Sequence, residues 1–95
     1  MDKEFNKKDM LATFLSLANK ERNNVAEFIA NKVEKTVDEL IDEAKPFVEK
    51  NKDAACYSFG FIYAAFISES TPEEIPMLSE ISVEICEALG LSIKW

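Results

Sequence analysis

The chain has 95 residues, a hydrophobic fraction of 47% and a formal net charge of -7. That is apolar material for one core and too little chain for a second, so a single domain spanning 1–95 is expected and a disordered chain is not. Histidine is absent, which removes the commonest general base, the Ser-His and Cys-His nucleophile systems and the usual zinc site. With two glycines and three prolines the chain is poor in turn formers, so long helices are favoured over an all-β fold.

In chain order, the start MDKEFNKKDM has no apolar run of the kind a secretory signal carries, so a cytoplasmic protein is expected. A first helix is predicted from about Asp9, as its N-cap, to Asn19. Met10, Leu11, Phe14, Leu15, Leu17 and Ala18 share one broad face of it. The polar NKERNN that follows holds no Gly or Pro, so it reads either as a turn or as continued helix. Val25, Ile29, Val33, Val37, Leu40, Ala44 and Val48 then step by three or four, which predicts one long second helix. Pro46 lies within that pattern and predicts a kink or a break, because it removes a backbone donor and clashes with the carbonyl four residues back.

A third helix is predicted from Asp53, as its cap, to Glu69. The fifteen residues Ala54–Ser68 carry no charge, and the run is apolar on nearly every side. A helix apolar all round is normally buried all round, so this one is expected at the centre of the bundle. Fifteen residues rise only about 22 Å, short of the ~30 Å apolar layer of a bilayer, so no membrane span is expected. The fourth helix starts either at Thr71, with Pro72 and Glu74 completing a capping box, or at Pro76 after a separate turn. Gly90 supplies its stop, with Leu91 placed to fold back on Cys86. Ile93 and Trp95 in the tail are candidates to pack on the bundle or on another copy.

Charge is unevenly spread. Residues 1–52 hold ten basic and eleven acidic side chains, whereas residues 53–95 hold one basic and seven acidic. On a wheel of the fourth helix Glu73, Glu80, Glu84 and Glu87 fall together, opposite Leu78, Ile81, Ile85 and Leu89. A stripe of one sign is either a solvated face or a docking surface for a basic partner. Tyr57 and Tyr63 either pack their rings with hydroxyls at the bundle edge, or orient a small ligand in a pocket. Asp38, Glu39, Asp42 and Glu43 lie one turn apart in pairs, but they lack the histidines of a di-metal bundle and fall on the polar face, so no metal site or other cofactor is expected. The helix–polar–helix rhythm from Phe14 to Glu43 suggests a helix-turn-helix, yet its second helix would bring those acids to phosphates; direct nucleic-acid binding is not expected. Cys56 and Cys86 sit in apolar runs and read as buried thiols of a reducing compartment.

These readings combine into an all-α bundle of about four mostly antiparallel helices around a central apolar helix. The leading expectation is a non-enzymatic interaction protein of inhibitor, immunity or adaptor type. It would dock Glu73, Glu80, Glu84 and Glu87 on a protein with a basic surface. The alternatives are a ligand-binding bundle using Tyr57 and Tyr63, and a structural subunit that pairs with copies of itself as a homodimer or larger oligomer.

Overall fold

The computed structural model describes residues 3–18 and 25–91. They form an all-α bundle: α1 (Lys3–Ala18), α2 (Val25–Val33), α3 (Val37–Lys50), α4 (Lys52–Glu69) and α5 (Ile75–Leu89). No strand occurs among the described residues, and no helix among them is long and apolar enough to cross a membrane. Ile93, Trp95 and the polar NKERNN lie outside the described residues, so the readings placed on them find no counterpart here.

The centre of the bundle is α1, which packs on each of the other four helices. Met10, Leu11, Ala12, Phe14 and Leu15 are all buried, so this half of α1 meets protein on nearly every side. Phe14 touches Phe47 of α3 and Phe59 of α4 edge-on, with ring centroids 5.5 and 5.8 Å apart. The helix begins at Lys3, six residues ahead of the expected Asp9 cap. Asp9 lies inside it, pairing with Lys32 of α2 at 3.2 Å, while its carbonyl accepts the Thr13 hydroxyl at 2.8 Å.

The predicted second helix is two helices. Thr36 interrupts it as the N-cap of α3: its hydroxyl oxygen accepts the Glu39 amide at 3.2 Å, and the Glu39 carboxylate accepts the Thr36 amide at 3.1 Å. This reciprocal box satisfies two backbone donors at a helix start. It outweighs the apolar stripe that runs through the break. Leu40, Ala44 and Val48 enter the core as expected, but Ile29 and Val33 before the break are 53% and 70% exposed. Asn31 is buried in their place, its amide oxygen without a hydrogen-bond partner among the described residues. Pro46 neither ends nor divides α3, which continues to Lys50 with the proline ring facing water.

Asn51, rather than Asp53, caps α4; its side-chain oxygen accepts the Ala54 amide at 3.1 Å. Thr71–Glu74 form a separate turn, and α5 starts at Ile75 with Pro76 in its first turn. Leu78, Ile81, Ser82, Ile85, Cys86 and Leu89 face the core. At the far end Gly90 takes a left-handed φ of 74°, and the Leu91 amide returns to the Cys86 carbonyl at 2.8 Å. Leu91 is thereby buried, as its spacing predicts.

Candidate functional site

The glutamate stripe is present but not bare. Glu80, Glu84 and Glu87 lie on α5 away from its core side, with Glu80 and Glu87 exposed, while Glu73 stands exposed in the preceding turn. Lys3 donates to Glu80 at 2.9 Å and lies 3.1 Å from Glu84, and Lys7 approaches Glu84 at 4.0 Å. Two lysines from α1 therefore neutralise part of the stripe, which neither the solvated-face nor the docking-surface reading provided for. The long early start of α1 is what brings them there. The carboxylates raise the pKa of Lys3 above the ordinary lysine value, Glu80 first and Glu84 second, through hydrogen bonds to its ammonium. Glu87 and Glu73 have no cation partner among the described residues.

An open cleft of about 430 Å³ sits beside this cluster, lined by Lys3, Glu4, Lys7, Val37 and Glu84. Its charged walls are already paired with one another or within α1: Glu4 lies 3.8 Å from Lys8. The Glu84 Oε2 atom in its wall is buried without a hydrogen-bond partner among the described residues, although it lies 3.1 Å from the Lys3 ammonium.

The two tyrosines do not converge. Tyr63 is half-buried and shares a 2.5 Å hydrogen bond with Ser79 of α5. Tyr57 is 82% exposed, on another side of α4, so no pocket is oriented by both rings. Cys56 and Cys86 are free thiols, half-buried and buried. Burial, and then the neighbouring Cys56, push the Cys86 thiol up to about 11. Among the described residues no cluster of three or more acidic or cysteine side chains is arranged to hold a metal. The paired acids of α3 are taken up singly, Glu43 by Lys35 at 2.6 Å and Asp42 by Lys45 at 3.5 Å.

The surface that sequence reasoning misplaced is the outer face of α4. Only Ala55, Phe59 and Ile62 of this helix are buried. At 100° per residue Tyr57, Phe61, Ala64 and Ser68 fall within about 60° of one another, opposite those three. Phe61 is 66% exposed, and Ala64, Ala65 and Ser68 also face water. Val83 of α5 is also exposed, at 40%. The signal for this was available: Tyr57 and Phe61 interrupt what is otherwise the small-residue side of the helix. A buried small side would have let a neighbour come close, and two aromatic rings there prevent it.

Comparison with known proteins adds no relative: no family model matches the chain, and no curated protein or solved structure is similar to it.

Proposed function

We propose that this protein is a small interaction module that acts by occupying another protein surface, and that the contact face is the uncharged side of α4. The observation that carries this reading is the adjacent exposure of Tyr57 and Phe61 at 82% and 66%. Two large rings one turn apart, on a helix face without charge, match the buried aromatic anchors that dominate protein–protein contacts. These two rings are the most exposed aromatic side chains among the described residues, ahead of Phe5 at 49%, whereas Phe14 and Phe59 are completely buried. The acids set the surroundings. Asp53 and Glu69 bound the face at its two ends, and the excess negative charge of residues 53–95 disfavours nucleic acid and membrane surfaces of the same sign.

This reading keeps the expected class of function and moves the contact. Glu80 and Glu84 serve to tie α5 to α1, and they offer a basic partner less charge than their spacing suggested. The test is a capture experiment with three baits: the wild-type chain, a Tyr57→Lys/Phe61→Lys double variant, and a Val33→Lys control altered on α2. A bound protein held by the wild type and the control but lost from the double variant is the expected result. Equal capture by all three baits, or none by any, removes the α4 face as the contact.

A further inference from the structure

We infer that Cys56 and Cys86 form an oxidant-responsive pair, which a hydroperoxide joins in a disulfide that staples α4 to α5. The chain has two cysteines, and both are free thiols in this structure. They stand on different helices, and the register between those helices brings them to one place.

Helices α4 and α5 pack on each other and are joined by the short turn after Glu69, so they run antiparallel. The hydrogen bond between Tyr63 and Ser79 fixes one level at which they meet. Cys56 lies seven residues before Tyr63, and Cys86 lies seven residues after Ser79. Seven residues make nearly two turns and advance about 10 Å, so each cysteine returns to the side of its helix that carries the hydrogen bond. In an antiparallel pair those two displacements point the same way along the seam, and the thiols arrive at the same level. Burial agrees: Cys86 is 6% exposed, and Cys56 packs against the same core. So does the upward shift of the Cys86 thiol, to which Cys56 contributes after burial. Packed helix axes lie about 8–10 Å apart, and each Cα sits about 2.3 Å off its axis. Facing Cα atoms therefore fall within reach of the ~4.4–6.8 Å that a disulfide spans.

The two thiols divide the chemistry by access. Cys56 is half-buried and meets the oxidant first, whereas Cys86 is buried and, with its thiol pushed up to about 11, is a poor first nucleophile. The Cys56 sulfur takes one oxygen of hydrogen peroxide and becomes a sulfenic acid, and the other oxygen leaves as water. The Cys86 sulfur then displaces the hydroxyl from Cys56 and forms the S–S bond, and its own proton leaves with that hydroxyl as a second water. The two sulfurs give up two electrons between them, and the peroxide bond takes both.

The test is hydrogen peroxide added to the folded wild-type chain at neutral pH, read by intact mass and by thermal melting. The product should be a single chain lighter by two hydrogens, with a raised melting midpoint, and dithiothreitol should reverse both changes. With dimedone present, Cys86→Ser should carry one adduct, on Cys56, because the sulfenic acid has nothing to resolve it. Cys56→Ser should stay unmodified under the same exposure. A wild-type chain that keeps both thiols, accumulates oxygen or cross-links to a second chain overturns the inference. So does a disulfide that lowers the midpoint, since that bond would have formed against the packing of α4 on α5.

Discussion

Cys86 and Lys3 are both pushed upward in pKa by the fold, for opposite reasons. The Cys86 thiol is buried against α4 and resists becoming a thiolate, reaching about 11 from an ordinary 9.0. Lys3 stands in water but gains Glu80 and Glu84 as partners, which favours its charged form. For either group a folded pKa above the unfolded one means a contribution that is fully present below the unfolded value. It is lost as pH rises toward the folded value. Both therefore make stability fall on the alkaline side, and neither makes it vary with pH near neutrality. For Cys86 the window is about pH 9 to 11, and a rise of that size corresponds to at most about 3 kcal/mol. Thermal melts at pH 7, 9 and 10.5 should show a steep alkaline loss that is shallower in Cys86→Ala. Identical alkaline slopes in the two proteins would show that the thiol does not feel its burial. The same residue accounts for what its neighbourhood in the sequence could reveal. An apolar run around a cysteine forecasts a buried thiol, but it cannot show that Cys56, thirty positions away, would lie across from it.

Among the elements, the break between α2 and α3 is where two local signals compete. Seven apolar residues at helical spacing argue for one helix from Val25 to Val48, while Thr36 and Glu39 argue for a new start at Val37. The structure follows the capping box. Thr36→Ala should then cost about 1 kcal/mol, lowering the melting midpoint by roughly 4–8 °C in a chain of this size. An unchanged midpoint would mean that α3 starts without help from its cap. The Thr-x-x-Glu spacing was visible in the sequence from the outset. It was masked because periodicity, a strong signal for the existence of a helix, is a weak one for its boundaries. The same weakness placed the start of α1 too late and so hid the lysines that meet α5. The exposed Ile29 and Val33 follow from the break as well: once α2 is free to turn relative to α3, the stripe no longer holds those two on the core side.

At the scale of the whole molecule, the question is which helix the others need. Composition singled out α4, whose central fifteen residues bear no charge. Packing singles out α1, a helix with lysines at one end and a buried apolar half at the other. The two differ because average hydrophobicity does not say what a helix faces. Solvation of a face depends on its neighbours, and among the described residues α4 buries only Ala55, Phe59 and Ile62. This gives a contrast between two phenylalanines of the same chain. Phe14 fills the meeting point of α1, α3 and α4 with no exposure, and its replacement by alanine leaves a cavity between Phe47 and Phe59. That change should cost about 3–5 kcal/mol, a large part of the 5–15 kcal/mol on which a domain of this kind typically rests. Phe61→Ala, on the outer face, should alter the stability of the monomer by no more than about 0.5 kcal/mol. Urea unfolding at low micromolar concentration, where the α4 face is unoccupied, measures both. Comparable losses from the two substitutions would place α4 in the interior after all, and the surface proposed for contact would vanish with it.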